Sequence, residues 1–241
     1  MEPGPTLILK AGDKLAELED CPGDFEDWIA AGLGPEAGTV RVLDVRAIPE
    51  LPDPASVGRV VVTGSAAMVT DRAPWVEATA DWLCEAVVAH TPVLGICFGH
   101  QLLAHALGGE VDYNPNGVEV GSVALALEPA AVDDPLFSGW PVAERVNMSH
   151  RQAVLALPGD VVPLARTASD PHAAFRHGDR AWGVQFHPEF DAIVTRAHVG
   201  WYAGFLEARG DDVGTLQAAC VETPRAHALL ARFAAIPRPV A

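Results

Sequence analysis

The sequence predicts an α/β protein, a three-layer sandwich with a mostly parallel central sheet plus a few antiparallel additions. Three observations predict it. Through the first half, short runs of strand formers alternate with helical patterns, which implies a parallel sheet covered by helices on both faces. In the second half, strand-like runs follow one another through turn residues, which implies meandering antiparallel strands at the edge of that sheet. The composition is ordinary for a globular chain: 241 residues, 49% hydrophobic and 20% charged, enough to bury a sizeable core.

Taken in order, residues 6–9 and 39–45 are rich in strand formers, and residues 59–63 read as a buried strand ending at Gly64 and Ser65. Residues 74–89 are helical: Trp75, Ala78, Trp82 and Ala86 recur at helical spacing, and Pro74 suits the first turn. A strand over 92–96 then gives way to a helix over 98–107. Residues 121–127, 161–168, 172–176 and 181–186 read as strands, and 191–206 and 224–235 as closing helices with a loop at 210–212. No repeat, low-complexity segment or linker interrupts the chain, so one domain is expected over 1–241.

Charge and cysteines narrow the function. With 16 basic and 32 acidic residues the net charge is −16, so nucleic acid and anionic membranes are set aside as partners. No apolar run reaches roughly 18 residues, the length of a membrane span. The first residues lack the pattern of a signal peptide. Four cysteines are scattered without a CxxC pair, which suggests neither a zinc site nor a disulfide framework and fits a reducing cytoplasm. His100 and His105 are five apart, a spacing that does not put two metal ligands on one helix face. No metal or organic cofactor is expected.

Cys97 stands where a strand gives way to a helix, between Gly95 and Gly99. A lone cysteine after an apolar run is more often a core residue. At the carboxyl end of a strand, however, a tight turn projects the side chain into the place where open α/β sheets bind ligands. The N-terminus of the following helix favours a thiolate, and the backbone N–H of Phe98 there suits an oxyanion. A thiolate nucleophile needs a base and a group to orient it. His187 ends a strand-like run and Glu189 follows two residues later, with Pro188 restricting the backbone between them. His150 is the rival base, but it has no carboxylate beside it in sequence.

These residues carry a resemblance. G-I-C-F-G-H-Q at 95–101 and F-H-P-E at 186–189 resemble the two signature motifs of class I glutamine amidotransferases. V-V-T-G-S at 61–65, the G-x-E-x-G pattern of Gly117, Glu119 and Gly121, and M-S-H-R-Q-A-V at 148–154 extend it. By pattern the chain is similar to stand-alone proteins like the amidotransferase domain of GMP synthase. The resemblance implies a flavodoxin-like fold and a Cys97–His187–Glu189 triad that releases ammonia from the glutamine side chain through a γ-glutamyl thioester. It implies an oxyanion site at Phe98 with Gly64 or Ser65, and glutamine binding by Gln101, Ser149 and His150. Two departures stand out. The oxyanion loop reads T-G-S-A-A, so a left-handed backbone at Ser65 would be costly. Arg151 and Gln152 stand where many relatives have glycine and aspartate.

The last helix ends close to Ala241, so the expectation is either a separate ammonia-consuming synthetase subunit as partner or a chain that hydrolyses a glutamine-like amide or a γ-glutamyl compound by itself. The rival readings are a γ-glutamyl hydrolase acting on a conjugated glutamine, and a non-catalytic regulatory or binding protein of the same fold.

Overall fold

The computed structural model describes residues 4–47 and 50–237. The ends of the expected domain, 1 and 241, lie outside the described residues. In chain order the elements begin β1 (Thr6–Lys10), α1 (Phe25–Leu33), β2 (Val40–Asp44), β3 (Arg59–Val62), α2 (Pro74–Val88), β4 (Val93–Ile96) and α3 (Phe98–Ala106). The strands β5 (Glu110–Tyr113), β6 (Glu119–Leu127), β7 (Ala143–His150), β8 (Gln152–Ala156), β9 (Val161–Arg166), β10 (Ala174–His177) and β11 (Ala181–Val184) follow. Four helices close the chain: α4 (Ala192–Trp201), α5 (Ala203–Arg209), α6 (Val213–Ala218) and α7 (Pro224–Ala234).

Nine strands form one sheet in the order β2-β1-β3-β4-β11-β10-β9-β6-β7. The five from β2 to β11 run parallel, and the four from β10 to β7 extend the sheet antiparallel. Alternation along each parallel strand serves both faces. Ile8, Val61, Leu94 and Val184 face α1 and α7, whereas Leu7, Val60, Val62 and Val93 face α2 and α3. The expected α/β sandwich is therefore the architecture observed, with helices on both sides of the sheet.

The structure adds elements that the linear pattern missed. Helix α1 is capped by Asp24, whose side chain and that of Asp27 form a reciprocal box, and it buries Phe25, Ile29 and Leu33 at helical spacing. Its Gly32 lets α7 approach, since a Cβ there would lie 2.3 Å from Leu230 Cδ1. The cap and the spacing were both legible in sequence. Strand β7 was hidden because its first half is charged, and β8 because it pairs only with β5 in a separate two-stranded sheet. The helix expected over 191–206 is two helices. It breaks at Tyr202, whose ψ of 7° leaves the helical region, so that Tyr202, Val199 and Leu206 all bury against Val120. Beyond the expected loop at 210–212, Asp212 caps the short helix α6. No helix among the described residues is long and apolar enough to cross a membrane.

Candidate active site

Three adjacent parallel strands, β3, β4 and β11, end on the same side of the sheet and deliver Gly64, Cys97 and His187 to one place. Cys97 sits at φ +51° and ψ −102°, a backbone conformation that L residues seldom adopt. Such strain costs about 1–3 kcal/mol and persists only where its surroundings hold it. Here they do. The Cys97 N–H donates to the Val184 carbonyl at 2.9 Å, and its own carbonyl accepts from the Gln101 N–H at 3.1 Å, starting α3. The flanking glycines are required by contact. A Cβ on Gly95 would lie 2.3 Å from the Gly99 oxygen, and one on Gly99 would lie 2.5 Å from the Val62 oxygen. The first turn of α3 thus lies directly on β3 and β4 and pushes the thiol into the cleft.

His187 faces that thiol. Its Nδ1 lies 2.7 Å from Glu189 Oε1, so the ring donates from Nδ1 and leaves Nε2 for Cys97. Phe190 stacks on the imidazole at 3.8 Å between centroids and 13° between planes, and Phe25 of α1 closes another side. A Cβ on Gly64 would lie 2.8 Å from His187 Cε1, so Gly64 is the floor under the ring. Burial alone would push the His187 pKa down. The charges of Glu189 and Cys97, and hydrogen bonds to both, outweigh it and hold the imidazolium well above its ordinary range.

The remaining expected residues line the same pocket, except Gly64 and Phe98, which contribute backbone beside it. Among the described residues, no acceptor takes the N–H of Phe98, Gly64 or Ser65. Ser65 is not in the left-handed region, so the strain expected from its lack of glycine does not arise. Its hydroxyl donates to the Ala11 carbonyl at 2.8 Å and accepts from the Ala67 N–H at 3.0 Å, tying the loop in place. Gln101 donates from Nε2 to the Gln152 carbonyl at 2.7 Å and to Gln185 Oε1 at 3.0 Å. The Ser149 carbonyl accepts a weak contact from the Cys97 thiol at 3.5 Å, and its hydroxyl lies 2.7 Å from His198 Nδ1.

Sequence reasoning missed several neighbours. His150 does have a carboxylate partner, supplied by the register of β6 on β7, which sets Glu119 opposite it. Glu119 Oε2 lies 3.0 Å from His150 Nε2, and the Gln152 carbonyl lies 2.8 Å from Nδ1. Both ring nitrogens therefore face acceptors. Burial pushes the His150 pKa down, and the bonded Glu119 carboxylate together with the charges of Asp170 and Cys97 more than reverses it. With both nitrogens taken, His150 is not arranged as a base for Cys97, whereas His187 is. Gln152, half of the second departure, is structural: it accepts from the Val69 N–H at 3.1 Å and donates to Thr70 Oγ1 at 2.6 Å. Trp201, the last residue of α4, and Tyr202, at the break after it, wall the pocket together with His198. Among the described residues no group of three or more His, Cys, Asp or Glu side chains is placed to hold a metal.

A cysteine on a strained elbow, a histidine–glutamate pair and unpaired N–H groups at the ends of a parallel sheet define a protein class suited to acyl transfer. The chain belongs to the class-I glutamine amidotransferase family, whose model matches residues 18–199. Over 104 residues it is 45% identical to a glutamine-hydrolysing GMP synthase of Aeropyrum pernix, a stretch covering 41% of this chain and 18% of that protein. Over 132 residues it is 38% identical to the glutamine-hydrolysing GMP synthase of Thermosipho africanus, covering 54% of this chain and 24% of that one. The chain thus spans less than a quarter of the length of these curated relatives. A glutamine amidotransferase structure from Thermotoga maritima superposes with a TM-score of 0.72 at 22% identity, over 95% of this chain and 96% of that one.

Proposed function

We propose that this chain hydrolyses the side-chain amide of glutamine and hands the ammonia to a separate synthetase. The observation that carries this reading is Cys97 at φ +51°, facing a His187 whose other nitrogen is held by Glu189 at 2.7 Å. The Cys97 thiolate attacks the amide carbon, and the oxyanion forms against the N–H groups of Phe98 and Gly64 or Ser65. On collapse the C–N bond breaks as the amide nitrogen takes a proton from the His187 imidazolium, so ammonia leaves and a γ-glutamyl thioester stays on Cys97. His187, now neutral, takes a proton from water, and the hydroxide adds to the thioester carbon. The adduct expels the Cys97 thiolate beside the re-formed imidazolium, and the glutamic acid released gives its proton to ammonia, so glutamine and water give glutamate and ammonium. Gln101, Ser149 and His150 border the space the substrate would fill.

The test is labelling with a diazo-ketone analogue of glutamine, read by peptide mass spectrometry beside an ammonia-release assay. Cys97 should label far faster than Cys84 or Cys220, and Cys97→Ala should lose about 10³-fold or more of ammonia release. Equal labelling of the three thiols would defeat the nucleophile assignment. Turnover of γ-glutamyl conjugates with none of glutamine would favour a γ-glutamyl hydrolase instead.

A further inference from the structure

Arg151 is the one lysine or arginine that lines the Cys97 pocket among the described residues. Its guanidinium is clamped between two aromatic rings, 5.3 Å from the centroid of Tyr113 and 4.9 Å from that of Phe205. Those rings are 48% and 54% exposed, which sets the clamp at the pocket rim rather than in the core. In a chain with twice as many acidic as basic residues, no carboxylate pairs with this arginine among the described residues. By contrast Arg166, Arg209 and Arg225 each hold one, and Arg46 holds two.

The arrangement has a physical reading. Stacking between two rings fixes the plane of a guanidinium and lowers the entropy it loses on binding, while its N–H edge stays available. A fixed planar cation with open N–H groups matches a carboxylate through two parallel hydrogen bonds. Position supplies the rest. The Ser149 carbonyl lies 3.5 Å from the Cys97 sulfur, and Arg151, two residues further on, lines the same pocket as Cys97 and Tyr202. The α-carboxylate of a γ-glutamyl amide lies four bonds from the carbon that a nucleophile attacks.

We propose that Arg151, held by Tyr113 and Phe205, is the α-carboxylate anchor of this pocket and selects substrates that carry that group. This rests on the reading that the pocket takes a γ-glutamyl amide. It goes beyond that reading by naming what the substrate must carry and which residue tests for it. It also gives a role to the other half of the second departure from the family pattern, the arginine next to His150.

The experiment is equilibrium binding by calorimetry to the full chain carrying Cys97→Ala, which removes turnover from the measurement. Three ligands are compared: glutamine, 4-aminobutanamide, which lacks the α-carboxylate, and 4-carbamoylbutanoate, which keeps it and lacks the amine. Both carboxylate ligands should bind more tightly than 4-aminobutanamide. Adding Arg151→Ala should cut that preference by about tenfold to hundredfold, the range for a hydrogen bond to a charged group. Arg151→Lys should keep part of it, since the charge remains and the planar fork is lost. Far-ultraviolet circular dichroism of each variant confirms the fold. A carboxylate preference that is the same with and without Arg151 would overturn the proposal, as would no binding of glutamine at millimolar concentration. Arg151-dependent binding in a chain whose Cys97 form releases no ammonia would instead overturn only the hydrolytic reading.

Discussion

At the scale of single residues, the site depends on which atom each buried polar group faces. His187 and His150 are both buried and both bonded to a glutamate, yet only His187 keeps a nitrogen turned to Cys97. Glu189 fixes that choice by accepting from Nδ1, and its charge helps keep the ring protonated beside the thiol. Glu189→Gln should lower ammonia release by about 10² to 10⁴-fold, less than loss of the nucleophile, because the wrong tautomer becomes accessible. Losing that negative charge should also lower the His187 pKa, so the pH profile of Cys97 alkylation should move toward acid. An unchanged profile would remove Glu189 from its role. Cys97, His187 and Glu189 were legible in sequence because each lies within a short motif at a strand end. Glu119 as the partner of His150, and the pocket walls Trp201, Tyr202 and His198, were not, since no local pattern links residues that meet only through sheet register or a helix break.

At the scale of elements, the elbow depends on how closely α3 packs on β3 and β4. Gly99→Ala places a methyl 2.5 Å from the Val62 oxygen, where rigid backbone cannot yield. This change should destabilise the protein by about 1–3 kcal/mol and slow Cys97 labelling as the helix shifts. Gly204 of α5 is the matched control: nothing lies within 4 Å of a Cβ there, and its φ is ordinary. Gly204→Ala should be neutral or stabilise by up to about 1 kcal/mol, and leave labelling unchanged. Chemical denaturation of both variants checks the pair. The strand–helix alternation from β3 to α3 was legible because buried parallel strands are apolar runs and because Trp82 and Ala86 of α2 do bury at helical spacing, although Ala78 is exposed and Val76, Thr79 and Leu83 complete the buried face. Strand β7 and the split between α4 and α5 were hidden, because charge at an edge and a backbone break at Tyr202 leave no periodic trace.

At the scale of the whole molecule, buried histidines tie stability to pH. Burial lowers His100 and His198 to about 3 from an ordinary 6.5. Their contribution is therefore present above pH 6.5 and is lost as pH falls from there toward about 3. In His150 and His187 burial acts the same way but their carboxylate partners overcome it, so both are raised. Their contribution is present below pH 6.5 and is lost as pH rises through their folded values. The histidine part of stability should thus peak near the ordinary value, falling on both sides. Urea midpoints measured from pH 4 to 9 check this, and His198→Gln should flatten the acid side even if it lowers the midpoint throughout. The sequence by itself determined the layers of the fold, the cysteine on its strand end and the histidine–glutamate pair. Those follow from hydrophobic period and from motifs only a few residues long, which local backbone geometry turns directly into position. Only the tertiary structure decided that His150 is held by Glu119, that a broken helix walls the pocket, and that Arg151 sits clamped and unpaired at its rim. Each of these joins residues far apart in the chain, and long-range packing, not local preference, sets which of them meet.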